Sequence, residues 1–142
     1  MKNLFLIPIF LLILSCNTMN KSAKAASDKS DLCTNLFSAQ YNGEEEETNL
    51  VITTQEELKS LYQSVGRDDI PTIDFSKSQV IALFLGTKNS GGYTVSVDRV
   101  IEENGKLVIY KKVESPKGMA TMALTNPFVI AEIHSTKEIV FR

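Results

Sequence analysis

The chain has 142 residues, of which 43% are hydrophobic, and a formal net charge of −2 at pH 7. This length suits one folded domain with an ordinary hydrophobic core. The weakly acidic balance argues against a nucleic-acid partner, because nucleic-acid binders need a basic face to displace counterions.

The N-terminal residues have the pattern of a bacterial lipoprotein signal. Lys2 precedes an apolar run of eleven residues, Leu4 to Leu14, which is too short to cross a bilayer but has the length of a secretory signal core. Ser15 and Cys16 follow, a small residue that gives a peptidase access to the backbone and a thiol that can accept a lipid. The sequence therefore predicts a signal peptide over residues 1–15 and a covalent lipid, such as palmitate, on Cys16. The alternative is an ordinary secretory signal that happens to contain a cysteine.

A lipid on Cys16 predicts a protein of the bacterial cell envelope, anchored to the outer or the cytoplasmic membrane. Residues 16–35 are interpreted as a flexible tether, since Asn17 to Asp31 contain one large apolar residue and cannot bury enough surface to offset their ordering entropy. Cys33 lies in or beside this tether and is the second of two cysteines, so lipidation of Cys16 leaves no internal disulfide. The folded domain is predicted over residues 36–142.

The folded part is predicted to begin with two strands and one helix. Leu36 to Tyr41 and Leu50 to Ile52 are the strand candidates, and the glutamates between them are interpreted as a solvated loop. Thr54 and Glu57 form a capping box, in which the Thr54 hydroxyl accepts a backbone N–H and Glu57 reaches back. Apolar residues then recur at the spacing of one helix face, and a glycine suited to positive φ ends the segment. These residues are Leu58, Leu61, Tyr62, Val65 and Gly66.

The second half of the sequence has the patterns of β-strands. Gln79 to Leu85 has no polar face, which predicts a central strand covered on both sides. Tyr93 to Val100 and Leu107 to Val113 are joined through Asn104-Gly105, a typical hairpin turn. Phe128 to Ile133 and Glu138 to Phe141 bring the number of strands to about seven. The sequence predicts a single α+β domain that is mainly antiparallel and sandwich-like, with one amphipathic helix.

Sequence signals for catalysis or metal binding are lacking. The chain has no phosphate-binding glycine loop, no nucleophile elbow and no cysteine pairs spaced for zinc. The single histidine, His134, is interpreted as an ordinary strand residue, because a Cys-His pair would depend on Cys33 in the tether. Glu44 to Glu47 are adjacent on one loop, and such carboxylates rarely converge on one cation. We therefore expect no enzyme, no metal site and no cofactor apart from the covalent lipid.

An ordered series of motifs carries a family resemblance. Gln79 to Val95 combines a buried strand with a loop that contains Ser90-Gly91-Gly92-Tyr93. Val113 to Gly118 and Thr121 to Ile130 follow, the latter with Leu124-Thr125-Asn126-Pro127-Phe128. The series resembles the C-terminal domain of PrcB-type protease-complex subunits over about Thr48 to Phe141, although Met122 stands where that family has a glutamine. The resemblance implies a non-enzymatic interaction module that supports or stabilises a secreted or envelope protease complex.

Two alternatives remain open from the sequence. Ser90 to Tyr93 and Asn126 to Phe128 are similar to the loops of chagasin-type cysteine-protease inhibitors, which have an arginine where this chain has Asn126. The other alternative is a structural envelope lipoprotein with no protease link.

If the domain docks on a partner, the contacts are expected in the loops, because the strand faces are needed for the core and the helix. Glycines in such a loop allow a tight turn or the close approach of a partner, although a simple strand connection explains them without any partner. The candidate contact residues are Lys88, Asn89, Ser90, Gly91, Gly92, Pro116, Lys117, Gly118, Thr125 and Asn126. Whether their loops meet depends on the strand order, which the sequence leaves open.

Overall fold

Two β-sheets pack face to face in the computed structural model, which describes residues 29–142. The elements are α1 (Lys29–Leu32), β1 (Cys33–Ala39), β2 (Glu47–Ile52), α2 (Gln55–Ser64), β3 (Gln79–Leu85), β4 (Thr94–Glu103), β5 (Lys106–Glu114), β6 (Phe128–Ile133) and β7 (Ile139–Phe141). This confirms the prediction of a single, mainly antiparallel α+β domain with about seven strands. The predicted signal peptide and Cys16 lie outside the described residues.

The first sheet has the strand order β1-β6-β3-β2, and the second has the order β4-β5-β7. All neighbouring strands are antiparallel except β5 and β7, which are parallel. Among residues 29–142, no helix is long and apolar enough to cross a membrane.

Strand β3 is buried along its whole length, as predicted from its unbroken apolar pattern. Because side chains alternate along a strand, it contributes to two separate cores. Ile81, Leu83 and Leu85 pack toward the second sheet. Val80, Ala82 and Phe84 pack with the apolar face of α2, which the spacing of Leu58, Leu61, Tyr62 and Val65 predicted. The first sheet is therefore a middle layer, covered on one face by a helix and on the other by three strands.

Helix α2 begins after the predicted N-cap residue, Thr54, but Glu57 accepts a hydrogen bond from a different backbone N–H than the one expected. The Thr54 hydroxyl accepts the N–H of Glu57 at 3.2 Å. The Glu57 carboxylate accepts the N–H of Thr53 at 2.9 Å, one residue earlier than in a standard capping box. This hydrogen bond lowers the pKa of the Glu57 carboxyl. The helix start is thus stabilised by two side chains from the predicted motif.

The end of α2 has the hydrogen bonds of a Schellman motif. Gly66 adopts φ +73°, its N–H donates to the carbonyl of Gln63, and the N–H of Arg67 donates to the carbonyl of Tyr62 at 2.8 Å. A residue with a side chain is strained at such a φ, which explains why glycine follows the helix.

Strand β1 begins at Cys33, three residues before the predicted start of the folded domain. Cys33 pairs with Ile133 of β6, and at 9% exposure it belongs to the core between the two sheets. The polar residues Thr34 and Asn35 made this segment resemble the tether, yet both are exposed residues of an edge strand. The tether predicted over residues 16–35 therefore includes residues that belong to the fold.

The hairpin between β4 and β5 has the predicted turn. Asn104 and Gly105 both have positive φ, 51° and 78°, as a type I′ turn requires. The strands on either side are longer than predicted, and they pair from Glu103 with Lys106 at the turn to Thr94 with Glu114 at the far end.

The double coverage of β3 leads to a stability prediction. Leu83→Ala removes a fully buried side chain and should lower the free energy of unfolding by about 2–5 kcal/mol, since a cavity remains. Leu50→Ala is the matched control, because Leu50 is 37% exposed at the sheet edge and should cost much less. Urea unfolding of both variants measures the difference. A loss below about 0.5 kcal/mol for Leu83→Ala, as at a neutral surface site, would contradict the assigned core.

Candidate interaction surface

Three connections meet at one end of the sandwich. The β1–β2, β3–β4 and β5–β6 connections all leave and re-enter the sheets at this end, and we call residues 40–46, 86–93 and 115–127 the loop end. Backbone hydrogen bonds join the three segments, with the Asn126 N–H donating to the Gln40 carbonyl at 2.9 Å. The strand order thus brings together the loops that the sequence singled out.

A short β-bridge fixes the two longer loops to each other. Lys88 and Thr125 exchange both backbone N–H···O bonds, at 2.8 and 3.0 Å. The Thr125 side chain is fully buried, and its hydroxyl donates to the Ser90 carbonyl at 2.9 Å. The prediction of Thr125 as an exposed contact residue is therefore wrong, because this side chain is used to join the loops.

The two adjacent glycines also have internal reasons for their positions. The Gly91 N–H donates to the Thr121 carbonyl at 3.0 Å, and a side chain at Gly91 would collide with the Thr121 hydroxyl. Gly92 has φ +87°, and a Cβ there would lie 2.8 Å from the Cβ of Pro116. Packing of one loop against the other thus accounts for both glycines.

Asn126 joins the third connection to the other two. Its side-chain amide donates to the Thr87 hydroxyl at 3.0 Å, and its carbonyl accepts the N–H of Gly43 at 3.2 Å. With its backbone N–H bonded to Gln40, Asn126 contacts all three segments of the loop end. Its role in the fold is therefore to hold these segments together.

The predicted contact residues differ in how accessible they are. Gly91 and Thr125 are buried, while four others are partly buried: Lys88, Ser90, Pro116 and Asn126. The exposed members are Asn89, Gly92, Lys117 and Gly118. These four are the candidates that the fold leaves exposed to a partner.

The most exposed apolar side chains of the loop end were not among the contact residues predicted from the sequence. Met119 and Met122 are fully exposed and Leu124 is 68% exposed, and we call these three residues the apolar tip. Three large apolar side chains are thus exposed within six residues of one loop, and a contiguous apolar surface of this kind marks an interaction site. The signal in the sequence was large apolar residues within a stretch that has no strand or helix period.

His134 lies at the opposite end of β6 from this surface. Its Nε2 is 2.8 Å from the Thr34 hydroxyl, and its Nδ1 is 3.6 Å from the Glu132 carboxylate. Thr34 and His134 are both exposed. The contact with Thr34 connects β1 to the residue that follows β6, in agreement with a structural role.

The fold and the loop end define a small two-sheet β domain with one exposed apolar loop. Residues 79–134 of this domain match the family model described as PrcB C-terminal. The match runs from β3 to the end of β6, so it includes the bridged loops and the apolar tip, and it confirms the resemblance expected from the sequence. Comparison with curated proteins and comparison with solved structures gave no significant match.

The buried hydroxyl at the loop end leads to a second stability prediction. Thr125→Val keeps the size of the side chain but removes its bond to the Ser90 carbonyl, which should cost about 1 kcal/mol. Thr136→Val, at an exposed position between β6 and β7, is the control and should be nearly neutral. Urea unfolding compares the two variants, and hydrogen exchange should show faster exchange at Gly91 and Lys88 in Thr125→Val alone. Equal stability of both variants would mean that the hydroxyl does not hold the loops together.

Proposed function

We propose that this protein is a membrane-tethered, non-catalytic interaction module that docks on a secreted or envelope protease complex and stabilises it. The observation that carries the proposal is the apolar tip, Met119, Met122 and Leu124, exposed within the segment that matches the PrcB C-terminal family. The family match supports an association with a protease complex, and the tip supplies a surface suited to it.

The apolar tip is suited to a protein interface. Burying one large apolar side chain contributes about 1.5–3 kcal/mol, so three together would provide much of the energy of a specific complex. Methionine is unbranched and polarisable, so it adapts to the surface that it meets. Backbone hydrogen bonds hold the loop on either side of Met122, from Gly91 to Thr121 and between Lys88 and Thr125. Because the loop is already ordered in the free protein, less conformational entropy is lost when it binds.

The position of the tip favours a protein partner over the membrane that would hold the anchor. Strand β1 starts at Cys33 and runs toward the loop end, so the N-terminal side of the domain and the apolar tip lie at opposite ends. The length of β1 separates them by about 20 Å. A tether that enters at Cys33 would leave the tip facing away from its attachment point.

The inhibitor alternative has less support. If the protein were a chagasin-like inhibitor, residues Asn126 to Phe128 would form a loop that contacts the protease. Pro127 and Phe128 are buried instead, and Phe128 stacks on Phe84 with ring centroids 5.5 Å apart. Presenting this stretch to a protease would require the core beneath α2 to open.

Replacing the tip tests the docking proposal. Met119→Ser together with Met122→Ser should leave folding unchanged, since both side chains are exposed, and should reduce capture of the protease at least tenfold. Val113→Ser is the control, as it removes an exposed apolar side chain of β5 outside the apolar tip. The tagged proteins are purified from native membranes in mild detergent, and proteolytic activity and mass spectrometry identify what is recovered.

Two results would contradict the proposal in different ways. If the wild-type protein captures no protease, the proposed partnership with a protease complex is wrong. Equal recovery by the wild type and the tip variant would show that the partner binds elsewhere. Thermal unfolding of all three proteins verifies that differences in capture do not come from loss of fold.

The tether is tested separately. The short apolar run and Ser15-Cys16 support lipidation, so Cys16→Ala should abolish acylation and leave either the uncleaved precursor or a protein without membrane attachment. Mass spectrometry of the N-terminal peptide and fractionation of membranes measure this outcome. Cys33→Ala is the matched control and should retain the lipid. An unmodified Cys16 in the native protein would exclude the lipid anchor.

A further inference from the structure

The four sheet edges differ in how they are protected against pairing with another strand. An exposed edge presents unpaired N–H and C=O groups, and proteins usually block it with bulges, charges or short strands. Strand β7 has three residues, β1 has a bulge between Asn35 and Phe37, and β4 has both a bulge and the charged pair Asp98 and Arg99. Strand β2 pairs with β3 in unbroken register and has no charged residue after Glu47.

The open edge of β2 borders an apolar groove. A cavity of about 500 Å³ lies between β2 and α2, and its apolar lining includes Leu50, Val51 and Leu61. Leu50 and Val51 are 37% and 38% exposed along this edge. Another strand beside β2 would cover Leu50 on the face of α2 and Val51 on the opposite face.

Acidic side chains surround the same groove. Glu44, Glu56 and Glu57 contribute to its lining, and Glu45 and Glu46 are exposed on the adjacent loop. This field attracts basic side chains at the ends of an incoming segment and repels acidic ones. The glutamates therefore favour basic over acidic segments among the extended chains that could pair with this edge.

Charge and composition argue against two other occupants. If a second copy paired through β2 in antiparallel register, Glu44 to Glu47 of one copy would approach Glu56 and Glu57 of the other, and like charges would repel. The chain's own residues 17–28 contain lysines, but only Met19 among them is a large apolar residue that could fill the groove.

We propose that β2 is a β-augmentation site for an extended segment of a partner protein, with apolar residues at alternate positions and lysine or arginine at its ends. The main chain of the segment pairs with the open edge of β2. Its apolar side chains enter the groove beside Leu50 and Leu61, and its basic groups approach Glu44, Glu56 and Glu57. Backbone pairing provides the affinity and alternate side chains the specificity. This surface is separate from the apolar tip, so the proposal stands independently of the protease partnership.

A synthetic peptide of alternating valine and serine, with two lysines at each end, is the probe. Fluorescence anisotropy measures its binding to the full expressed protein, purified in mild detergent. Leu50→Lys places a positive charge in the groove and should weaken binding at least tenfold. Val113→Lys, at an exposed position of β5, is the matched control and should bind as the wild type does. Higher salt should weaken the wild-type interaction, because screening reduces the attraction of the glutamates.

Hydrogen exchange distinguishes augmentation from simple electrostatic contact. When the peptide adds as a strand, amides of residues 47–52 should exchange more slowly, while those of the apolar tip should not change. Equal binding of a peptide in which glutamate replaces lysine, or of one with N-methylated backbone amides, would overturn the proposal. So would slower exchange confined to residues outside β2 and α2.

The alternative occupants give their own results, each of which would also overturn the proposal. A concentration-dependent dimer that is lost in Leu50→Lys, detected by sedimentation velocity, would assign the edge to a second copy. Tighter peptide binding after Lys21→Glu and Lys24→Glu would show that the chain's own N-terminal segment competes for the groove. A monomer whose peptide affinity is unchanged by these two substitutions supports a site for another protein.

Discussion

The structure depends on the burial of one strand on both of its faces. Strand β3 supplies Ile81, Leu83 and Leu85 to the core between the sheets, and Val80, Ala82 and Phe84 to the core beneath α2. Neither core could form without it, because the helix and the second sheet do not share a face. Its neighbours on the two sides, β6 and β2, extend the same middle layer. The second sheet and the helix are held in one domain because both pack on this layer.

The topology around β3 also determines where the loop end lies and which of its side chains are exposed. The chain passes between the two sheets after β3, after β5 and after β6, and the first two passages occur at the loop end. Hydrogen bonds from Thr125 and Asn126 hold these passages together, so their neighbours need not contribute to the core. Met119 and Met122 can therefore remain exposed on a loop whose ends are fixed.

The sequence predicted the elements whose pattern is local. Strands β3 and β6 have the predicted bounds, and α2 and the Asn104-Gly105 turn form at the predicted positions, because each is encoded by its own periodicity or capping residues. Pairing between distant segments could not be predicted in this way. Cys33 belongs to β1 through its pairing with Ile133, a hundred residues away in the sequence.

The same limit applies to the candidate surface. Thr125 was expected to be exposed because it is a polar residue in a loop, and its burial follows from a bridge to Lys88 that only the strand order creates. The apolar tip was missed for the converse reason, since large apolar residues in a sequence are ordinarily assigned to the core. Tertiary structure, and not local pattern, decides which side chains of these loops are accessible.

Strand β1 has a mechanical consequence for a domain held at both ends. Cys33, where a tether would enter, and the loop end lie at opposite ends of β1, and β1 is antiparallel to β6. A pulling force between these points acts along the strands and at right angles to their hydrogen bonds. The bonds between β1 and β6 must then yield together in shear instead of opening one after another. This orientation makes the sandwich resistant to tension applied between Cys33 and the loop end.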